Sequence, residues 1–377
     1  MRCTSNICFH TNAAAPYRRH QFELLAERFH GAVFYLTSKQ SSYRPWSNDF
    51  SDWSADVRMV TAGMLFNDLV RQKWGTIHVL GSGVPVLYGR LLRLSAMFGH
   101  SKLIYWDDGY TLEQVEKYKV IQKNSVIERI KNWLNSKVRQ GIFTPGTLGA
   151  EMARARGYRE NQIINAYFSH DVEKFTKFRI KNGATERLRI RKLLDVPEDK
   201  ILILNISRFL NWKRLIDLFD ALRELEITNI NAASQLEVLL IGDGNCHDHE
   251  EIMRELKIIK IHVLKQMPPD EILTYYCGSD IFVFPSEGDI WGLVVNEALS
   301  MGLPVICTSS IGASEIVEDG RNGYVIPRRS PALIAERICR LLDYHTRCKF
   351  SEEAVKIRDE WNTAMGIDEL ARFVEGV

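Results

Sequence analysis

Residues 285–305 read PSEGDIWGLVVNEALSMGLPV and directly follow the apolar run Ile281–Phe284. A short apolar run bounded by turn residues is typical of a buried strand. Proline and glycine predict the turn out of this strand, and residues 293–301 predict a helix that Gly302 ends. The stretch therefore joins the carboxyl end of a strand to the amino end of a helix. Ligands bind at this place in an open α/β sheet, and free helix amides suit a phosphate.

Outside this stretch, short apolar runs alternate with helical stretches along the whole chain. Strands are predicted at 7–10, 32–36, 76–80, 102–106, 141–144, 201–206, 236–241, 261–264 and 280–284. Helices are predicted at 17–29, 84–98, 111–139, 212–225, 249–256, 270–277 and 293–301. This alternation indicates parallel βαβ units, so the predicted fold class is α/β with two Rossmann-like domains. We predict these domains at residues 1–168 and 169–349, followed by a carboxyl-terminal helix within 350–377 that crosses back to the first domain.

Composition excludes several classes of protein. The chain has 377 residues, which suits two domains, with 45% hydrophobic and 25% charged residues. A net charge of +2 does not favour a nucleic-acid partner. The seven cysteines include no C-x-x-C pair and are typical of reduced thiols. With no signal-like core and no run of roughly 18 apolar residues, the sequence predicts a cytoplasmic protein, either free or in peripheral contact with the inner face of the cell membrane.

Two acids and two cations flank the predicted ligand-binding edge. Asp289 lies on the loop, and Glu297 lies eight positions later in the helix. These carboxylates suit sugar hydroxyls, but a helix-dipole acid and a solvated loop acid explain them equally well. Arg208 and Lys213 follow another predicted strand. They suit a diphosphate, and ordinary surface cations are the alternative.

Together these segments resemble the family 4 (group 1) retaining glycosyltransferases, which have the GT-B fold with two Rossmann-like domains facing each other across a cleft. The order and spacing of four segments carry the resemblance. These segments are 207–213, the LIGDG of 240–244, 285–305 and the GASEIVEDGRNG of 312–323. The resemblance covers the second half of the chain well and the first half only faintly.

The resemblance implies a role for each charged residue. Glu297 would hold the ribose hydroxyls of a nucleotide sugar, and Asp289 would contact the donor sugar. Asp289 stands where the family has the first glutamate of a Glu-x7-Glu signature, so its carboxylate is one methylene shorter. Arg208 and Lys213 would act catalytically by neutralising the diphosphate.

The remaining donor-binding residues are also implied by the resemblance. The backbone amides of Gly292, Leu293 and Val294 would bind the diphosphate from the helix end. Gly242 belongs to the LIGDG segment, and Met267 lies where the nucleobase would bind. GT-B enzymes generally work without a metal ion, so we expect neither a metal nor another cofactor. The donor is a co-substrate whose base, UDP or GDP type, stays open. We expect no metal at His247-Asp248-His249-Glu250 either.

The first half departs from the family pattern, which often has a Gly-Gly loop after the first strand. Tyr17 and Arg18 sit in a Pro-Tyr-Arg opening that resembles enzymes of bacterial surface polysaccharide synthesis. Arg18 would reach an acidic acceptor or lipid phosphate, and a solvated first-turn arginine fits as well. Asp107 or Asp108 would orient the acceptor hydroxyl, or either would cap the helix that begins near Thr111.

Residues 117–139 contain seven Lys or Arg and one acid, interspersed with isoleucine, tryptophan and leucine. Contact with an anionic membrane and an ordinary solvated helix face fit this pattern equally well.

The sequence therefore predicts an enzyme that moves a hexose from a nucleotide-diphosphate sugar to a hydroxyl of a glycan or lipid-linked glycan, in bacterial polysaccharide or glycoconjugate synthesis. Two alternatives stay open. One is a nucleotide-sugar epimerase or hydrolase on the same fold. The other is a non-catalytic sugar-nucleotide-binding subunit.

Overall fold

The computed structural model describes residues 6–11, 18–36, 52–71, 73–81, 84–136, 138–165, 170–244, 253–356 and 361–376. The chain divides into two compact units, each with its own core. The first unit is Met1–His170 with Asn362–Val377, and the second is Asp171–Trp361. From the sequence, the boundary is predicted after residue 168, and the final segment is predicted to begin at residue 350.

Each unit contains one parallel sheet. The strands of the first unit are β1 (Ile7–Thr11), β2 (Val33–Leu36), β3 (Asp56–Met59), β4 (Thr76–Leu80), β5 (Ser101–Trp106), β6 (Arg139–Thr144) and β7 (Ile163–Asn165). Those of the second unit are β8 (Ile201–Ile206), β9 (Leu236–Gly242), β10 (Lys260–Lys265), β11 (Ile281–Phe284), β12 (Val305–Thr308) and β13 (Gly323–Ile326). Their orders are β3-β2-β1-β4-β5-β6-β7 and β10-β9-β8-β11-β12-β13. The order reverses between β1 and β4 and between β8 and β11, where doubly wound sheets form ligand crevices.

Helices connect these strands. In chain order they are α1 (Arg19–Arg28), α2 (Ala62–Arg71), α3 (Val86–Met97), α4 (Leu112–Asn124), α5 (Val126–Ser136), α6 (Gly146–Ala155), α7 (Val172–Leu194), α8 (Leu215–Thr228), α9 (Ile230–Ala233), α10 (Pro269–Gly278), α11 (Leu293–Ser300), α12 (Pro331–Leu342), α13 (Tyr344–Ala354) and α14 (Thr363–Gly376).

Apolar packing covers both faces of the first sheet. Phe22 of α1 and Leu370 of α14 pack with the strands on one face. Leu65 of α2 and Leu92 of α3 pack with the strands on the other. Because α14 completes the core of the first unit, the chain returns to that unit at its carboxyl end.

In the second unit the central strands are buried along their full length, as expected for a parallel sheet covered on both sides. Helices α8 and α12 pack into the main core of this sheet. Helix α13 belongs to the same unit, because Phe350 lies with its ring centroid 5.2 Å from that of Tyr324. This packing explains why the second unit extends beyond residue 349 to Trp361.

The α/β class predicted from the alternation of strands and helices is confirmed. Strands β3, β7, β12 and β13 were not predicted, nor were helices α2, α6, α7, α9, α12 and α13. Of the missed strands, β3 is mostly exposed and β7 has only three residues, so both give a weak local signal. The prediction of one helix over 111–139 is wrong. The chain forms α4 and α5, and Ser125 between them is extended (φ −113°, ψ 110°). Its hydroxyl accepts a hydrogen bond from the Glu128 N–H at 3.3 Å, which starts the second helix.

Candidate functional site

The predicted donor-binding residues of the second unit lie at the carboxyl ends of adjacent strands. One loop, residues 207–214, follows β8, and the other, residues 285–292, follows β11. Strands β8 and β11 pair directly, and the strand order reverses between them. The fold therefore brings two loops that are more than 70 residues apart in the sequence to the same switch point.

An ion pair joins these two loops. The Lys213 ammonium pairs with the Asp289 carboxylate. Lys213 is only 9% exposed, and its Nζ lies 4.9 Å from the centroid of the Phe284 ring. The sequence-predicted cation and the sequence-predicted acid are thus in direct contact, and the cation is held with little freedom.

Two hydrogen bonds to one main-chain carbonyl also hold these loops together. The carbonyl oxygen of Trp212 accepts from the Glu287 N–H at 2.9 Å and from the Ser286 hydroxyl at 3.2 Å. Gly288 lies against the Trp212 side chain, and a Cβ there would come within 3.2 Å of the Trp212 Cβ. The position of Lys213, next to Trp212, is therefore coupled to the position of Asp289.

Gly242 has a steric role that the sequence resemblance did not predict. A Cβ at Gly242 would lie 1.9 Å from the carbonyl oxygen of Ser207, so only glycine fits at the end of β9. The Phe209 N–H donates to the Asp243 carbonyl at 2.7 Å, which fixes the loop after β8 against this turn. Arg208 lies between these two contacts and is exposed. Its guanidinium is therefore accessible to an anion.

The amino end of α11 begins at Gly292 with a left-handed backbone (φ 98°). Within the described part of the chain, no side chain caps this end. The first N–H groups of a helix have no partner within the helix, and they carry partial positive charge. The amides of Leu293 and Val294 stand at this position and point to anion binding.

Glu297 lies one turn into α11 and is paired with a buried tyrosine. The Tyr276 hydroxyl donates to Glu297 Oε2 at 2.8 Å. Burial raises the pKa of the Glu297 carboxyl to about 7, while the hydrogen bond from Tyr276 opposes this rise. The side chain is partly buried, so a ligand that hydrogen-bonds to the carboxylate would stabilise its ionised form.

Met267 follows β10, the edge strand of the second sheet, and is half-buried. Lys265 and Gln266 beside it are exposed. The structure thus places this segment two strands away from β8 in the sheet.

One ion pair at this edge was not predicted. The Arg329 guanidinium makes two hydrogen bonds to the Glu287 carboxylate, at 2.7 and 3.0 Å. The Arg329 pair holds the pKa of the Glu287 carboxyl below its usual value. Glu287 lies two positions before Asp289 and could have been noticed in the sequence, whereas Arg329 is 42 residues further along and gives no local signal.

In the first unit, the predicted acceptor residue Arg18 is buried rather than solvated, so the alternative of a solvated arginine is wrong. Its guanidinium donates to Asp108 Oδ1 at 2.6 Å and to the Thr11 hydroxyl at 3.0 Å. It also lies 5.7 Å from the Trp106 ring centroid. Arg18 and Asp108 are therefore brought together at the carboxyl ends of β1 and β5.

Asp107 belongs to a neighbouring polar cluster. It accepts hydrogen bonds from the Tyr110 hydroxyl and from Arg156 at 3.2 Å. Burial raises the pKa of the Asp107 carboxyl. The cap of α4 is Thr111, which forms a capping box with Gln114, so the alternative of an aspartate cap is wrong.

Two groups that the sequence singled out fall outside the described residues: Tyr17 and the 247–250 segment. Among the described residues, His, Cys, Asp and Glu form no group of three that could hold a metal ion. In that same part of the chain, no helix is long and apolar enough to cross a bilayer.

Sequence comparisons find relatives over parts of the chain, and the family model lies within the second unit. Residues 186–357 match the family model described as glycosyl transferases group 1. A D-inositol 3-phosphate glycosyltransferase of Corynebacterium efficiens is 30% identical over 180 residues, covering 46% of this chain and 42% of that protein. The capsular polysaccharide biosynthesis glycosyltransferase CapM of Staphylococcus aureus is 24% identical over 270 residues, covering 70% of this chain and 67% of CapM. The match thus spans less than half the length of the first of these relatives.

Structural comparisons cover nearly the whole chain. Alr3699/HepE of Anabaena, solved in complex with UDP, has a TM-score of 0.74 at 16% identity, covering 99% of this chain and 100% of that one. A glycosyltransferase of Rickettsia africae has a TM-score of 0.72 at 15% identity, covering 99% and 98%. At such identities the likeness concerns the fold alone. Both predictions are confirmed: the chain has the α/β GT-B fold, and in sequence it resembles the group 1 glycosyltransferases.

Proposed function

We propose that this protein is a retaining hexosyltransferase. It would move a hexose from a nucleotide-diphosphate sugar to a hydroxyl of a glycan or lipid-linked glycan. The observation that carries this proposal is the Lys213–Asp289 pair, which lies near the amino end of α11 at the switch point of the second sheet. No side chain among the described residues caps this end of α11. The names of relatives such as CapM support a place in bacterial polysaccharide or glycoconjugate synthesis.

In this proposal the protein stabilises the departing diphosphate electrostatically. Lys213, Arg208 and the first amides of α11 supply positive charge where negative charge develops. The acceptor oxygen forms the new bond to the anomeric carbon while the bond from that carbon to the diphosphate oxygen breaks. The acceptor proton passes to the departing diphosphate oxygen on the same face of the sugar, so the configuration is retained.

The ion pair also argues against a covalent glycosyl-enzyme. A retaining glycosidase needs one carboxylate as nucleophile and a second as acid, flanking the bond. Here Asp289 pairs with Lys213, and Glu297 accepts from Tyr276. We therefore propose that Asp289 contacts the donor sugar and Glu297 the ribose, both as binding groups.

For the nucleotide, we propose that the base lies near Met267 and that UDP and GDP are the two candidate types. Structures of Alr3699/HepE contain UDP and UDP-glucose. Uridine donors are therefore the first to test. No metal and no further cofactor enter the proposed reaction.

For the acceptor, we propose the edge of the first unit that holds Arg18, Asp107 and Asp108. Asp108 is the more accessible of the two acids, at 34% against 19% side-chain exposure. We propose that Asp108 orients the acceptor hydroxyl and that buried Arg18 holds Asp108 in place. Tyr17 would contribute to the same acceptor contact.

The test combines donor binding with turnover. The purified chain is screened by thermal shift against UDP-, GDP- and ADP-sugars, since a ligand that binds the folded state raises the midpoint of unfolding. Release of nucleoside diphosphate is then measured with and without glycan acceptors. Stabilisation by one base and acceptor-dependent release support the proposal. Equal release without acceptor would favour a hydrolase, and stabilisation without any turnover would favour a binding subunit.

A further inference from the structure

Hydrogen bonds hold the beginning of the loop after β11 on both sides. The Ser286 hydroxyl donates to the Trp212 carbonyl, in the loop after β8, at 3.2 Å. The Ser286 carbonyl accepts from the hydroxyls of Thr308, which ends β12, and of Ser310, the latter at 3.3 Å. Ser286, Thr308 and Ser310 are all buried. The start of this loop is therefore fixed by uncharged contacts on the sides of both β8 and β12.

An ion pair adds a contact from a strand further away. Arg329 lies between β13 and α12, and β13 is the edge strand, two strands from β11 in the sheet. Its guanidinium donates through two nitrogens, one to each oxygen of the Glu287 carboxylate, at 2.7 and 3.0 Å. A fork of this kind fixes the direction of the carboxylate as well as its distance, which a lysine ammonium does not. Glu287 is therefore held from the β13 edge of the sheet.

An ordinary surface ion pair is the alternative, because Arg329 is 65% exposed and exposed pairs contribute little to stability. Two observations favour a more specific role. The Glu287 side chain is only 17% exposed. The φ angle of Arg329 is +56°, and among the described non-glycine residues only Asp195 and Arg214 also have a positive φ. Such backbone conformations persist where the surrounding structure requires them, often at ligand sites.

Glu287 and Asp289 are the two ends of a short segment, and a cation holds each end. Arg329 pairs with the first acid and Lys213 with the second. Gly288 between them restricts its own φ and ψ less than any other residue does. The position of Asp289 therefore depends on contacts at both ends. Removal of Arg329 would give Asp289 more freedom to move, despite the main-chain hydrogen bond of Glu287 to the loop after β8.

We propose that Arg329 is a positioning residue for the sugar portion of the donor. Through Glu287 it holds Asp289 where that carboxylate meets the sugar, whereas the nucleotide is held by the start of α11 and by Glu297. This inference rests on the proposed function, in which Asp289 contacts the donor sugar. Loss of the ion pair should weaken the binding of an intact sugar nucleotide and leave the binding of the nucleoside diphosphate alone unchanged.

Arg329→Gly separates the ion pair from the backbone conformation. Glycine adopts a positive φ readily, so the midpoint of thermal unfolding should not fall. Calorimetry compares UDP-, GDP- and ADP-glucose with UDP, GDP and ADP. For the base that binds, the Kd of the sugar nucleotide should rise about five- to tenfold in the variant, and the Kd of the nucleoside diphosphate should not change. The donor KM should rise by a similar factor, with the acceptor KM unchanged.

Further variants distinguish positioning from a general loss of charge. Arg329→Lys keeps the charge but not the fork, so its Kd should be intermediate. Glu287→Gln leaves the backbone of Arg329 untouched and should raise the Kd as Arg329→Gly does. The double variant should be no worse than either single one, because all three remove the same pair. Arg340→Ala is the matched control: it removes another exposed pair, with Glu336 on α12, and both Kd values should stay unchanged.

The outcomes separate this inference from the proposed function. Wild-type protein with acceptor-dependent release, together with an unchanged sugar-nucleotide Kd in Arg329→Gly and Glu287→Gln, would overturn the positioning role and leave the transfer reaction intact. An equal rise in Kd for the nucleoside diphosphate would also overturn it, because the pair would then act on the nucleotide. Wild-type protein that binds none of the six compounds would contradict the proposed function, and this inference with it.

Discussion

The carboxyl edges of the two sheets both lie at a reversal of strand order but use their charged residues differently. In the second unit, Lys213 and Asp289 come from loops on two neighbouring strands and meet near the amino end of α11. In the first unit, Arg18 is buried and engaged by Asp108 and Thr11. Both edges thus bury a cation against an aspartate, with Arg18 7% and Lys213 9% exposed, but the edge of the second unit also carries Arg208, which is exposed and accessible to an anion.

The residues of the two edges also differ in how readily they can be selected from the sequence. The proposed donor edge includes a short motif that places Asp289 on the loop before α11 and Glu297 within that helix. The acceptor edge depends on pairs such as Arg18 with Asp108, which are 90 residues apart. The following predictions test whether the edge of the second unit is catalytic and whether the edge of the first unit contributes to acceptor binding.

Removing the buried cation should have the largest effect. Lys213→Ala should lower kcat by about 10²–10³-fold, because the departing diphosphate loses a preorganised positive charge. The change in kcat is measured as acceptor-dependent release of nucleoside diphosphate. Lys181→Ala, at an exposed position of α7, is the matched control, and its kcat should equal that of the wild-type protein. Near-normal turnover of both Lys213→Ala and Arg208→Ala would contradict the diphosphate assignment.

The carboxylate partner of Lys213 should matter next. Asp289→Asn should lower kcat/KM for the donor roughly 10–100-fold, since a hydrogen bond to a charged group is lost. Asp289→Glu keeps the charge and introduces the residue that the resemblance places here, so most of the activity should remain. Equal losses in the two variants would show that the geometry of aspartate, rather than its charge, is required.

Glu297 should affect nucleotide binding and its pH dependence. Glu297→Gln should raise the nucleotide Kd roughly tenfold. Since burial raises the pKa of this carboxyl to about 7, the ionised fraction increases as pH rises through that value. Wild-type affinity, measured by calorimetry, should therefore increase between about pH 6 and about pH 8, and the variant should show a flatter profile.

The raised pKa of Glu297 also predicts how the free energy of unfolding depends on pH. The folded protein keeps the Glu297 proton at pH values where the unfolded chain has lost it, so this contribution to the free energy of unfolding falls as pH rises from the ordinary glutamate pKa to about 7. Glu297→Gln should remove that fall, whereas Glu224→Gln, exposed on α8, should not. Identical pH profiles for all three proteins would mean that the pKa is not raised.

The smallest effect is expected at the acceptor edge. Asp108→Asn should raise the acceptor KM about three- to tenfold and leave the donor KM unchanged. Initial rates over a range of acceptor concentrations measure this, with Asp220→Asn on α8 as a surface control. A lower midpoint of thermal unfolding with an unchanged acceptor KM would show that Asp108 only supports Arg18.

In the second unit, strands β8 to β11 could be predicted from the sequence, whereas β12, β13 and the long helix α7 were not predicted. Strand β8 has the predicted bounds, and β11 and α11 differ from their predictions by one residue. Buried parallel strands are continuous apolar runs, so they give a strong local signal. In the first unit, β3 and β7 are short and the break at Ser125 depends on one backbone conformation, so none of these features was predicted.

In the candidate site, too, some features could be predicted from the sequence and others could not. Asp289, Glu297, Arg208 and Lys213 could be chosen from spacing and resemblance, but their contacts could not. Neither the partner of Glu297 nor that of Glu287 lies in its own motif: Tyr276 is 21 residues away, and Arg329 is 42. The need for glycine at 242 arises from a carbonyl oxygen in the loop after another strand.

The sequence by itself determined the alternation of strands and helices, the resemblance to group 1 glycosyltransferases, and the placing of two acids around a helix start. These are properties of neighbouring residues, where periodicity and turn chemistry act. Only the tertiary structure decided that Lys213 pairs with Asp289, that Arg18 is buried against Asp108, and that Tyr276 donates to Glu297. Each of these depends on residues that parallel strand pairing and core packing bring together, and such contacts leave no trace in local sequence.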